Sequence, residues 1–581
     1  MNLTTLNRTL ALLRRLFDTG ASTESIIQTA PQKPAAVLSD IECPLPRATP
    51  ESQGISSNVI GDFVEALQAD PTLEMHNLLI LRHGKLLYQA SFGGHDYRLW
   101  KNTYSECKSI TSLAIGLLVD DGKLRVTDRV VELLEQEAPL GAKLKFKNLT
   151  VEHLLTMTST VIFNEAGAMA SEDWIKSFFN SSTMGELGKT FNYNSLNSYI
   201  LSAIVKKVSS QGLSDFLEQR LFRPMGITGT FWEKCPRGIE KGGWGFYIRP
   251  EDMAKLGQLV MNKGLWNGKR LLSENWIQAA VSAHQTPPSE FGDYDYGYQI
   301  WVGRKANSFL FNGMLSQNVL GFPDNGILIV SNAGIAEMFQ QSRYYEIARK
   351  FFSGPFGDRL PSDSSARKRL QPVGRTRWWA GLKNRSADIP PECKALVGKS
   401  FHVDFAPAAG LMPVFMQAVQ NNYTKGTKGI AFLQEENLLI LEYRETDEIH
   451  RIPIGFGAPV QSDLVFHGEP YRVAVSGKTA RNEDDIPVLK VRIEFIETPC
   501  TRILKFYMDR ARFLLLCLET PGTEFVMTGL QELAAGMKDK PIIGSTLSKV
   551  DRDFVNYKIE KLFQPRLELQ EDLARPFSPA D

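Results

Sequence analysis

Ser105 and Lys108 stand one helical turn apart at the head of an apolar run, TYSECKSITSLAIGLL, residues 103–118. A serine hydroxyl is a weak nucleophile until a neighbouring base takes its proton. Lysine is such a base when burial or nearby positive charge brings its neutral form within reach near pH 7. Three residues of helix set its amine beside the hydroxyl, and the free N–H groups at a helix start can steady an oxyanion formed there. The same Ser-x-x-Lys pattern recurs at Ser365 and Lys368 in a polar stretch. The pattern alone therefore leaves open a helix-capping serine followed by an exposed lysine.

The elements that must position this pair read as one α+β unit. HNLLILRHGKLLYQASFGG is two short strands around the turn Arg82-His83-Gly84-Lys85. A mostly helical stretch runs on to about residue 280, with helices opening at Ser105, around TVEHLLTMT and through SLNSYILSAIVKKVSS. Strands return in YGYQIWVG, SFLFNG and GILIVSNAG, and a helix through MFQQSRYYEIARKFF closes the unit. The sheet is thus expected to be assembled from both ends of the segment and flanked by helices.

We divide the chain into a helix and polar lead-in (1–49), an α+β domain (50–353), a linker rich in Pro, Gly, Ser and basic residues (354–392), a β-rich domain (393–535) and a charged, partly helical tail (536–581). Trp378 and Trp379 are expected to pin the linker to a surface. VLKVRIEFIE alternates, with Leu489, Val491, Ile493 and Phe495 on one face and Lys490, Arg492 and Glu494 on the other, as a half-buried antiparallel strand does. Similar runs around it make the β-rich domain a small barrel or sandwich.

The bulk of the 581 residues excludes several classes. With 43% hydrophobic and 23% charged residues the composition is that of an ordinary globular protein, and 66 Lys and Arg against 65 Asp and Glu give no sign of a nucleic-acid or anionic-membrane partner. The six cysteines are widely spaced, without metal-site or redox spacing, and read as reduced thiols in a cytoplasmic chain. Arg14 and Arg15 interrupt the apolar start, making it a poor signal peptide and an amphipathic surface helix instead.

The order of motifs over residues 50–350 resembles the penicillin-recognising serine hydrolases, in the branch of class C β-lactamases, related esterases and 6-aminohexanoate-oligomer hydrolases. SECKSITSLAIGLLVDDGKL is similar to the nucleophile helix of that family, LTVEHLLTMTS to a stretch that follows it, and Tyr193-Asn194-Ser195 to its second motif. GGWGFYIRPEDMAKLGQLVMNKGLWNGKRLL is family-like as well. The resemblance implies a β-lactamase/transpeptidase-like fold with a helical subdomain, Ser105 as nucleophile, Lys108 as base and Tyr193 as proton relay. Ser195 orients Lys108 or the substrate amide, or caps its helix. Trp244 and Trp301 are pocket walls by family position, or packing residues. His153 is read as structural and Cys107 as a buried, inert thiol.

The third motif departs from the family. The corresponding stretch reads Asn312-Gly313-Met314-Leu315-Ser316-Gln317, with no lysine or histidine. The family strand supplies an oxyanion N–H and a cation for a substrate carboxylate; the first survives the change, from a donor between Met314 and Gln317, and the second does not. The expectation is a serine hydrolase acting through an acyl-enzyme on an ester, amide or short peptide without such a carboxylate. It needs neither metal nor organic cofactor. The alternatives are a catalytically silent sensor or scaffold that binds a ligand or partner through the β-rich domain, and a β-lactamase or D-alanyl carboxypeptidase. The β-rich domain resembles small lipocalin-like modules appended to relatives; it covers the pocket, binds an apolar ligand or forms a homo-oligomer interface.

Overall fold

The computed structural model describes residues 31–162, 168–169, 171–335, 343–370, 388–404, 410–424, 426–509, 512–523, 557, 560–561 and 563–572. The expected N-terminal surface helix, Trp378 and Trp379 lie outside these residues. The chain divides into two compact units, one built mainly on Val37–Trp378 and one on Leu10–Ala36 with Trp379–Asp581.

In the first unit, Ser57–Ala69 (α1) is capped by Ser56, whose side chain accepts from Asn58 N. Met75–Arg82 (β1) and Lys85–Ser91 (β2) form the expected hairpin. Cys107–Asp120 (α2), Ser195–Ser209 (α3) and Pro250–Met261 (α4) carry the helical middle. Tyr294–Tyr296 (β3), Trp301–Gly303 (β4), Phe309–Gly313 (β5), Gln317–Phe322 (β6) and Ile327–Ala333 (β7) precede Arg343–Phe352 (α5). The seven strands order as β2-β1-β7-β6-β5-β4-β3, every neighbour antiparallel.

The sheet is therefore assembled from both ends of the segment, with β1 seated on β7 through the register Leu79↔Val330. Every residue of β1, β6 and β7 is buried. That burial on both faces removes the alternation by which a strand is recognised. β6, which opens on the amides Gln317 and Asn318, is for that reason not among the expected strands. Helices α1 and α5 cover one face through Ile60, Phe63, Tyr344 and Phe352 around Leu78, Ile80 and Ile329, while α4 packs on β6 and β7.

The described residues of the expected linker include a helix. Ser364–Leu370 is a helix packed on α1, where Arg369 pairs with Glu65 at 2.6 Å. Ser365 and Lys368 are both exposed there, and the Ser365 hydroxyl donates to Asp363 Oδ1 at 2.7 Å.

The second unit is a barrel. Its strands are Ser400–His402 (β8), Thr427–Glu435 (β9), Leu438–Glu445 (β10), Ile449–Phe456 (β11), Val460–Phe466 (β12), Glu469–Arg481 (β13), Pro487–Phe495 (β14), Thr501–Met508 (β15), Phe513–Thr520 (β16) and Arg566–Glu571 (β17). They order as β11-β10-β9-β8-β17-β16-β15-β14-β13-β12, and a parallel pairing of β11 with β13 at Gly455↔Ser476 closes nine of them into a ring. On β14 the expected apolar face is buried; Arg492 and Glu494, expected on an exposed face, are buried too and pair with each other at 3.2 Å. β17 comes from the stretch read as a charged tail. Only Leu567 and Leu569 alternate with Arg566, Glu568 and Gln570 there, too short a pattern to stand out.

Inside the barrel, Arg502 meets Glu519 at 2.7 Å with both side chains fully buried. Arg502 also donates to the carbonyls of Gly410, Leu411 and Met412, and Glu519 accepts from Val414 N and Phe415 N. The pair thereby ties the segment leading into the helix Val414–Gln420 (α6) to the strands β15 and β16.

Candidate active site

The approach to Ser105 is a stapled turn. Lys101–Asn102 pairs with Phe246–Ile248, and Thr103 N and Oγ1 both donate to Phe246 O at 2.9 Å. Tyr104, fully buried, takes a left-handed φ of 44°, uncommon for a non-glycine residue, and its N–H donates to Asn102 Oδ1 at 3.0 Å. The Cys107 thiol donates to Tyr104 O at 3.1 Å. Ser105 then lies in a short 3-10 turn, Tyr104–Glu106, that runs directly into α2. From Lys101 to Leu118 every residue is buried except Ser105.

Lys108 points back at it. Its Nζ donates to Ser105 Oγ at 2.9 Å, to Ser195 Oγ at 2.9 Å and to Gly243 O at 2.8 Å, with the residue 1% exposed. Three acceptors match the three N–H bonds of an ammonium. A neutral amine would keep two of them for Ser195 and the Gly243 carbonyl, which can only accept, and turn its lone pair toward the Ser105 hydroxyl.

Tyr193 and Ser195 reach the lysine from the start of α3, whose cap is Asn194, accepting from Leu196 N. The Tyr193 ring centroid lies 5.1 Å from Lys108 Nζ, within cation–π range, and its ring stacks on Trp301 at 5.7 Å. Ser195 is thus a partner of Lys108, and the capping role belongs to Asn194 instead.

Sequence reasoning singled out Trp244 and missed the glycine before it. A Cβ on Gly243 would fall 2.8 Å from Ser195 O and 3.1 Å from Ser195 Cβ, so only a residue without one lets this carbonyl reach Lys108. The Gly-Gly pair at 242–243 was the available signal. Trp244 itself is buried, stacked on Trp174 at 5.4 Å, and its carbonyl accepts from Trp232 Nε1. Gln299 was also missed. Its backbone carbonyl accepts from Ser109 Oγ at 2.9 Å, its Oε1 accepts from Ser198 Oγ, and its Nε2 donates to the carbonyls of Leu154 and Leu155, so one buried residue ties α2 to α3.

Two small polar residues of α2 bond within the fold, Ser109 to the Gln299 carbonyl and Thr111 to Gly242 O at 2.7 Å, while the buried Ser112 Oγ has no hydrogen-bond partner among the described residues. Burial pushes the Cys107 thiol up to about 12, so it carries no thiolate near neutrality. Burial also holds the Glu106 carboxyl well above the usual carboxylate range, and its Oε1 has no hydrogen-bond partner. His153 sits in a capping box with Thr150 at the start of Val151–Leu155, a structural position.

The Asn312–Gln317 stretch is the hairpin between β5 and β6, in the register Asn312↔Asn318 and Gly313↔Gln317. Gly313 abuts the nucleophile turn so closely that a Cβ there would sit 2.2 Å from Thr103 O. The turn takes left-handed φ at Leu315 and Ser316, 60° and 66°. Its polar side chains face inward: Asn312 Nδ2 donates to Asn318 Oδ1 at 3.1 Å and Tyr345 OH at 2.7 Å, and Ser316 Oγ accepts from Asn318 Nδ2 at 2.7 Å. Gln317 Nε2 donates to Ala333 O at 2.7 Å while its Oε1 accepts from Asn332. The half-buried Met314 is the exception in this turn.

These residues all lie inside residues 62–347, which match the Beta-lactamase family model. The 6-aminohexanoate-dimer hydrolase of Paenarthrobacter ureafaciens is 24% identical over 286 residues, which cover 43% of this chain and 70% of that protein. Among solved structures, a penicillin binding protein from Bacillus halodurans is 20% identical with a TM-score of 0.39, covering 49% of this chain and 98% of that one. EstCE1, described as a hydrolase with promiscuous acyltransferase activity, is 16% identical with a TM-score of 0.44, covering 51% of this chain and 99% of that one. On the family match, residues 62–347 are a domain of the beta-lactamase family.

Proposed function

We propose that this domain is a serine hydrolase that works through an acyl-enzyme on an ester, amide or short peptide. Ser105 Oγ attacks the carbonyl carbon as its proton passes to Lys108 Nζ, leaving a tetrahedral oxyanion. We assign the reception of that oxyanion to backbone N–H groups at the start of α2 and in the Met314–Gln317 turn. Collapse breaks the bond to the leaving group, which takes the proton by way of Tyr193, and an ester on Ser105 remains. A water then attacks that ester, its proton passing to the Tyr193 and Lys108 pair, and the acid leaves with Ser105 restored.

The observation that carries this reading is the donor set of Lys108. Two fixed acceptors, Ser195 Oγ at 2.9 Å and Gly243 O at 2.8 Å, aim the third position of the nitrogen at Ser105, the accessible residue in a buried run. The Tyr193 face stabilises the ammonium once the proton has arrived.

The test is intact-protein mass after exposure to a fluorophosphonate. One adduct is expected on the wild type and on Ser365→Ala, and none on Ser105→Ala. A folded wild type that takes no adduct overturns the reading and leaves a silent scaffold whose barrel binds a ligand or partner.

A further inference from the structure

Beside the reacting pair lies a shelf of aromatic rings that proton transfer does not require. Phe191 and Phe291 meet edge to face at 5.5 Å, and Phe291 stacks on Trp301 at 5.8 Å. Phe291 also lies 6.4 Å from the Tyr193 ring, which itself is 5.1 Å from Lys108 Nζ. Trp301 and Tyr296, 2% and 0% exposed, form the base, and Phe191, Tyr193 and Phe291 keep part of their surface accessible. An accessible aromatic surface that continues from the nucleophile's own neighbours is where the acyl part of a substrate would bury apolar area.

The charge pattern points the same way. The stretch from Phe309 to Gln317 contains no charged residue. The side chains of Asn312, Ser316 and Gln317 are bonded within the fold, as described above, so reaching out to a substrate would cost each of them those bonds. A carboxylate held against the aromatic rings would lose its hydration there with no cation from that strand to offset it.

We propose that Phe291, together with Phe191, is a specificity-determining surface for the acyl group, and that the substrate class is esters or amides of uncharged, apolar acyl groups. This rests on the serine hydrolase reading above. Discrimination comes from the shelf, because the polar machinery of Ser105, Lys108 and Tyr193 is common to every acyl donor.

The experiment compares p-nitrophenyl acetate, octanoate and the monoester of glutaric acid on the full chain, for wild type, Phe291→Ala, Phe291→Leu and Phe191→Ala. The wild type is expected to prefer octanoate over acetate in kcat/KM and to handle the glutarate monoester worst. Phe291→Ala should lower the octanoate value about tenfold and leave acetate within about twofold, with Phe291→Leu restoring most of the loss. Phe191→Ala should act in the same direction.

A wild type indifferent to chain length, or favouring the carboxylated ester, overturns the proposal. Equal loss on acetate and octanoate in Phe291→Ala also overturns it, since that marks a structural role. Protection of Ser105 from fluorophosphonate by octylboronic over methylboronic acid reads the same shelf without turnover, and equal protection counts against it. Absence of any adduct on the folded wild type instead overturns the hydrolase reading beneath it.

Discussion

Replacing Gly243 by alanine tests whether a backbone carbonyl aims Lys108. The added Cβ would lie 2.8 Å from Ser195 O, 3.1 Å from Ser195 Cβ and 3.3 Å from Ser198 Cβ. Carbon contacts settle near about 3.5 Å, so the segment must withdraw from α3 by roughly 0.5 Å. The bond from Lys108 Nζ to Gly243 O, 2.8 Å in the structure, then stretches beyond the range of a strong charge-assisted bond. A hydrogen bond to a charged group is worth about 1.5–3 kcal/mol. If that orientation is needed in the transition state, labelling of Ser105 slows by roughly 10- to 150-fold, at about 1.4 kcal/mol per tenfold.

The assay is the second-order rate of fluorophosphonate labelling, followed by intact mass, beside thermal unfolding of the same samples. The overpacking itself is expected to remove about 1–3 kcal/mol of stability, so the comparison is made well below the unfolding temperature. Gly141→Ala is the control, because a Cβ there meets nothing within 4 Å on a short exposed helix. A folded Gly243→Ala variant that labels within about twofold of wild type would refute the assignment of this carbonyl as a positioning group.

Glu106→Gln should change how stability depends on pH. The folded carboxyl holds its proton above the ordinary value of 4.5 because it is buried. Folded chains therefore keep a proton that unfolded chains release, and wild-type stability falls as pH rises above that value. The uncharged variant escapes this loss, so its urea midpoint relative to wild type should increase from pH 5 to pH 8; a constant difference would count against a buried neutral acid. In the barrel, Arg502→Met strands Glu519 without its partner and should cost about 3–5 kcal/mol in urea unfolding. Adding Glu519→Gln should recover a large share, and no recovery would mean that the lost contacts to the Gly410–Met412 carbonyls, not the stranded charge, set the cost.

Much of the frame was legible in the sequence because its signals are local. The turn at His83-Gly84, the helical period after Asn194 and the alternation in β14 each need only a few neighbouring residues to be read. What stayed hidden depends on partners far along the chain. β6 carries no alternation because both faces are covered, and its Gln317 amide is satisfied by Ala333 and Asn332, 16 and 15 residues away. The acceptor role of Gly243 belongs to a carbonyl, which no side-chain motif records. The Ser-x-x-Lys spacing offered two pairs, and the motifs around Ser105 and Lys108 favoured that one. That this pair, and not Ser365 with Lys368, is desolvated follows only from the packing of α2 and α3 around it.

The strand β17 gives the barrel an unusual dependence on the order in which the chain is made. β8 pairs with β9 on one side and with β17 on the other, in the register Phe401↔Glu571, so two strands far apart in sequence must meet before the ring has no open edge. During synthesis from the N-terminus, β8 to β16 emerge first as a curved sheet with the unpaired backbone of β8 and β16 at its margins. Such margins invite pairing with other chains. A ribosome that stops anywhere between Thr520 and Arg566 releases a protein whose hydrolase-like domain is fully encoded but whose barrel remains an open, adhesive sheet. Premature termination in that interval is therefore expected to reach the cell as aggregation before it is felt as lost chemistry.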